Sequence, residues 1–187
     1  MSTWFLYLLI YSFLGYCLEK CFARATRSPH QVRKCFLLLP LCPVYGLAMT
    51  ALVALAPADL AFLPLAALGA AVCTAAEYLV HLFCDRVLGV WFWDYRALRG
   101  NLRGRVCPQF TVIWGVLSAL AVRWLHPAVA ALAACVPVEM TYTLWLLLTA
   151  DSVASAALLR RYHQIDLLAI PAFFAQIRAS SQSSTSR

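Results

Sequence analysis

Five apolar stretches, each about as long as a bilayer crossing, leave this 187-residue chain little choice of fold. They run over Trp4–Phe22, Phe36–Ala56, Leu60–Cys84, Pro108–Leu125 and Pro127–Ala150. A spanning helix needs about 20 mostly apolar residues. Lipid offers the backbone no hydrogen-bond partner, so such stretches must close their own bonds as helices. Hydrophobic residues make up 63% of the chain and charged residues 12%, more apolar surface than a soluble domain of this size can hide. The expected fold is therefore all-α: an integral membrane bundle of about five transmembrane helices in one domain, residues 1–178. The serine-rich stretch 179–187 lacks apolar periodicity and is expected to be a disordered tail.

Connection lengths and basic residues give the topology. Pro57–Asp59 and His126–Pro127 are short enough to force antiparallel hairpins, whereas Ala23–Cys35 and Asp85–Cys107 are longer and polar. Of the fifteen basic residues, only Arg123 falls on the side opposite these two loops and the C-terminal region. By the positive-inside rule the N-terminus is expected outside and the C-terminus inside, with residues 85–107 forming a cytoplasmic interfacial loop. Beyond Asp151 a helix is expected to continue along the inner surface, with Leu158, Tyr162, Ile165 and Ala169 as its apolar stripe and Pro171 as its stop.

The net charge of +7 would suit nucleic acid, but the basic residues lie between apolar segments, which fits membrane orientation and no nucleic-acid partner. A P-loop signature is missing, so nucleotide hydrolysis by that route is excluded. The eight cysteines form no CxxC pair and no Cys/His cluster with zinc spacing, so they read as reduced thiols and small hydrophobes, with no metal and no cofactor expected. The first basic residue is Lys20, so the first apolar stretch reads as a retained helix rather than a cleaved signal.

Charged groups inside apolar stretches are expensive and mark candidate sites. Glu77 begins a polar stripe, Glu77, His81 and Asp85, at successive i+4 positions. That spacing suits a proton path or part of a metal site, or a hydrogen-bonded helix contact in which His81 fixes Glu77. Glu139 follows Pro137 within the fifth stretch, where a proline-bent helix can present polar groups, as Pro40 and Pro43 can in the second. Glu19 closes the first stretch and is close enough to the basic loops to pair with an arginine. One glycine in each of the first four stretches (Gly15, Gly46, Gly69 and Gly115) points to close helix packing.

The loop Asp85–Cys107 carries Trp91, Phe92, Trp93 and Tyr95, which are expected to rest at headgroup level. Asp94, Asn101 and Arg105 can hold a polar headgroup there, or Asp94–Arg105 pairing can clip the loop to the bundle, with Gly100 and Gly104 permitting tight turns.

Four ordered blocks carry a resemblance. YSFLGYCLE at Tyr11–Glu19, FLLLPLCPVYG at Phe36–Gly46, AAEYL at Ala75–Leu79 and WDYRALRGNLRGRVCPQFTVIWG at Trp93–Gly115 are similar to the CmpB-like family of bacterial type IV ABC-transporter permeases. The resemblance implies that Glu19, Pro40, Pro43, Tyr45, Gly46, Glu77, Trp93, Asp94, Tyr95, Asn101, Gly104, Arg105, Trp114 and Gly115 match recurring family positions. The chain departs from the family pattern at Arg33–Cys35, Leu39, Arg99 and Gly100, and His81 lies outside it.

Three functions follow as expectations. The leading one is a permease-like component of the bacterial inner membrane, binding or moving a substrate through Glu19, Glu77, Asp94, Asn101, Arg105 and Glu139. It would work in the lipid bilayer with a separate ATPase subunit, and as a homo-oligomer, since five helices make a small translocation unit. The second is a membrane-embedded enzyme acting on lipid headgroups, with Glu77 or Asp94 as acid or base and Arg105 as phosphate holder. The third is a non-catalytic scaffold.

Overall fold

The computed structural model describes residues 2–26 and 35–168, apart from the side chains of residues 166 and 167. Most of the first polar loop, the stripe beyond Leu168, Pro171 and the tail 179–187 lie outside these residues. The described chain is helical: α1 (Ser2–Ala25), α2 (Pro43–Leu55), α3 (Phe62–Phe83), α4 (Pro108–Leu120), α5 (His126–Ala134) and α6 (Val138–Tyr162). A π turn at Cys84–Leu88 extends α3, and another at Ala121–Leu125 joins α4 to α5. Four continuous helical stretches are long and apolar enough to cross a membrane: Ser2–Ala25, Phe62–Leu88, Pro108–Ala134 and Val138–Tyr162. This is a membrane protein, with α2 as a shorter apolar helix.

Two expected boundaries are corrected. Pro127 does not end a helix. The wide turn before it bonds the His126 amide to the Ala121 carbonyl, displacing the carbonyls that the proline ring would otherwise meet. Helix therefore continues to Ala134, and the hairpin lies at Cys135–Pro137. Pro137 becomes the N-cap of α6, so Glu139 stands exposed in the first turn of that helix rather than at its middle.

The second stretch is only half helix. Residues 35–42 run without helical structure, and α2 starts at Pro43, whose missing N–H is no loss in a first turn. Unpaired backbone in lipid is costly, and here neighbouring helices supply the partners. The Leu38 amide donates to Ser155 Oγ at 3.1 Å and the Leu39 amide to Asp151 Oδ2 at 3.2 Å. The Cys42 amide donates to the Ser12 carbonyl at 2.8 Å. Helix α6 thus stitches this irregular strip to the bundle. It ends at Tyr162, where His163 turns left-handed with φ of 51° and donates its amide to the Leu159 carbonyl.

Close packing follows the glycines. The Tyr45 ring lies directly on Gly15, and Gly46 meets the Leu8 carbonyl and Ser12 Oγ, bringing α1 against α2. A Cβ on Gly115 would strike the Ala66 carbonyl and the Ala70 side chain, and one on Gly69 would strike Ser118 Oγ. Those contacts seat α3 on α4, which Thr74 and Thr111 tie by a 2.9 Å hydroxyl bond. Without a hydrophobic force between helices in lipid, such small-residue contacts hold the bundle.

Gly115→Val is therefore expected to destabilise the bundle by about 1–3 kcal/mol through overpacking. Val112→Ala, on an exposed face of the same helix, should change stability by less than about 0.5 kcal/mol. Thermal unfolding in detergent checks both.

Candidate functional site

The polar stripe of α3 does not form a chain of mutual contacts. Each member instead holds a different part of the following loop. Glu77 Oε1 accepts the Tyr95 hydroxyl at 2.8 Å. His81 Nε2 donates to the Trp93 carbonyl at 3.0 Å, and its ring stands edge-on to Trp91 and Trp93. Asp85 accepts the Trp91 indole at 2.7 Å and the Arg105 guanidinium at 2.6 Å. The spacing of three side chains on one helix face becomes three docking points for residues 91–105.

The loop aromatics pack largely against the protein, apart from the exposed Trp91. Phe92 is buried with Cys84, Leu88, Val90, Leu159 and Leu168. The Trp93 indole donates to the Arg105 carbonyl at 2.9 Å. Tyr95 reaches back into the bundle and stacks on Phe110, with ring centroids 5.0 Å apart. Burial, then the charge of Glu77, pushes the Tyr95 hydroxyl far above its usual range, so it stays a donor.

The expected Asp94–Arg105 clip is replaced by two separate pairs. Asp94 binds Arg96, its own neighbour, at 2.6 Å with both side chains largely in solvent. The Arg96 side chain holds the Asp94 carboxyl below the usual carboxylate range. Arg105 reaches across to Asp85 at 2.6 Å and is only 7% exposed against 24% for Asp85. It also donates to the Tyr78 hydroxyl at 3.2 Å and lies over that ring. Its bond to Asp85 keeps the guanidinium still more firmly protonated. These engagements fix two of its nitrogens, while the buried Nε has no hydrogen-bond partner among the described residues.

Asn101 organises the loop tip. Its amide donates to the Leu98 carbonyl at 2.7 Å, and its carbonyl accepts the Gly104 amide at 2.9 Å. Arg103 and Gly104 both adopt positive φ, 56° and 71°, and the Arg105 amide closes on the Leu102 carbonyl. That turn wants a residue without Cβ at position 104, where a side chain would meet Asp94 and Arg96.

Of the six candidate residues, the structure brings two together. Glu19 and Glu77 line one partly open hollow of about 200 Å³, framed by α1, α2, α3, the loop and α4. Glu19 was expected to meet an arginine. Among the described residues it pairs with no basic side chain, and instead accepts the Tyr45 hydroxyl at 2.6 Å. Glu77 is 8% exposed, and its Oε2 has no hydrogen-bond partner among the described residues. The Trp114 indole approaches that carboxyl but falls short of hydrogen-bond geometry. Asp94, Asn101 and Arg105 belong to the loop's own framework, and Glu139 lies outside the hollow.

The wall between the two carboxyls was not foreseen as a site. Tyr45 meets Trp114 edge-on at 5.6 Å, Trp114 meets Phe110 at 5.9 Å, and Phe110 stacks on Tyr95. Four rings thus run from the Glu19 partner to the Glu77 partner. Three of them, Tyr45, Tyr95 and Trp114, sit at recurring positions of the resemblance. That was the one signal in the sequence that could have marked them. Among the described residues no group of three or more His, Cys, Asp or Glu could hold a metal ion.

Asp85→Asn should therefore lower the thermal midpoint more than Asp94→Asn does. The first leaves a buried arginine short of its partner, while the second breaks an exposed pair of little worth. Equal midpoints for the two variants would contradict this assignment of the ion pairs.

Comparison with curated proteins and with solved structures finds no match. A family model described as "Putative ABC-transporter type IV" matches residues 6–157, a stretch that includes most of α1, α2 to α5, the docked loop and most of α6. The chain belongs to this CmpB-like ABC-transporter family.

Proposed function

We propose that this chain is the membrane component of a bacterial inner-membrane transport system, and that the hollow between Glu19 and Glu77 is where its substrate binds. The observation that carries this reading is a hollow lined by two acidic side chains, Glu19 and Glu77, neither paired with a basic side chain among the described residues. An acidic side chain at the centre of a membrane helix costs about 2.5–3.5 kcal/mol. One charge-assisted hydrogen bond, from Tyr95, offsets about 1.5–3 kcal/mol of it. The enzyme reading is less well supported, because Arg105 is buried and bonded to Asp85 and Tyr78 rather than facing the hollow.

With no P-loop in the chain, energy would come from a separate ATPase subunit. In this reading the N-terminus lies outside and the C-terminus inside, so the exposed Arg99 and Arg103 of the loop face the cytoplasm and help to seat that subunit.

Affinity purification of the tagged chain from bacterial membranes tests the proposal. A nucleotide-binding chain in stoichiometric amount is expected, and the double variant Arg99→Glu, Arg103→Glu should lose most of it while remaining folded. Glu77→Gln should retain the subunit but abolish substrate-dependent ATP hydrolysis. A chain that purifies free of any ATPase, or a cysteine at position 99 labelled from the outer side, would overturn the reading.

A further inference from the structure

We propose that the hollow takes a small organic cation, an alkylammonium or quaternary ammonium group, held between the carboxylates of Glu19 and Glu77 and the Tyr45–Trp114–Phe110–Tyr95 wall. The inference rests on the proposal that this hollow is a substrate site and adds the class of substrate.

Charge decides the sign of the ligand. Two acidic side chains line one cavity, and neither pairs with a basic side chain among the described residues. An anion would be repelled at short range where water is scarce, and a neutral molecule would leave the carboxylates uncompensated.

The wall decides what kind of cation. A strongly hydrated metal ion needs several oxygen ligands, and the described residues offer no cluster of three or more metal-binding side chains. Aromatic faces favour weakly hydrated organic cations, each contact being worth about 0.5–2 kcal/mol. Trp114, the strongest cation-binding ring type, lines the hollow together with Glu77. A hollow of about 200 Å³ lies below the usual range for drug-sized ligands, so the group it encloses is small. A second cavity, between α1, the 35–42 strip and α6, has an uncharged lining and makes no such demand.

The test uses the full chain in nanodiscs, titrated by calorimetry with tetramethylammonium and with choline. The neutral isostere 3,3-dimethylbutanol and acetate serve as controls. At least one of the two cations is expected to bind while both controls fail. Glu77→Gln should weaken cation binding by about tenfold, the scale of a lost charge-assisted contact. Trp114→Leu should weaken it by roughly two- to thirtyfold, the scale of a cation–π contact. Should Glu77→Gln fail to fold, Glu19→Gln at the half-buried end of the hollow gives the same reading. The inference is overturned if the isostere binds as tightly as choline, if acetate binds instead, if neither cation binds, or if the folded glutamine variants bind unchanged. Loss of ATP hydrolysis in Glu77→Gln without any cation binding would overturn this inference alone. Cation binding by a chain that recruits no ATPase would overturn the transport role and leave the site.

Discussion

The loop side of the hollow depends on how α3 holds the segment that follows it. Glu77, His81 and Asp85 lie one above another along the helix, and each fixes a separate point of residues 91–105. The lowest point anchors a buried arginine, the middle one a backbone carbonyl, and the highest a tyrosine that closes the cavity. These partners need one another in a medium with no water. Arg105 would be a bare buried charge without Asp85, and Glu77 would lose its one described hydrogen bond without Tyr95. The polar loop is thereby held against the bundle.

The same demand explains the broken second span. Residues 35–42 leave helix, and their exposed amides find Ser155 and Asp151 on α6 and the Ser12 carbonyl on α1. Non-helical backbone at such a depth is tolerated where protein or a cavity covers it. Its consequence is positional: α2 begins at Pro43, so Tyr45 falls in the first turn, lies on Gly15 and reaches Glu19. A full-length helix would carry that ring elsewhere. The hollow thus owes one carboxylate partner to a docked loop and the other to an interrupted helix.

Much of this was legible from residue type and spacing, because lipid allows so few solutions. The apolar stretches, the glycine contacts and the cost of an acid at Glu77 come directly from that constraint. What could not be read were partner choices. Asp94 and Asp85 are both acidic residues near Arg105, and only the turn at Arg103–Gly104 decides that Asp85 receives it. Proline was ambiguous for a related reason. Pro127 is absorbed by a wide turn and Pro137 is not, although both read alike as helix breakers. Aromatic residues between apolar ones carry no period of their own, so the ring wall emerged only when α2, the loop and α4 were brought together.

The contact between Tyr95 and Glu77 is where the loop, the helix and the hollow meet. A double-mutant cycle on Tyr95→Phe and Glu77→Gln, read by reversible unfolding in detergent, isolates it. A coupling of about 1–2 kcal/mol is expected for a hydrogen bond to a buried carboxyl. Strictly additive effects would mean that the loop does not dock on α3 in this way, and the account of the hollow would fall with it.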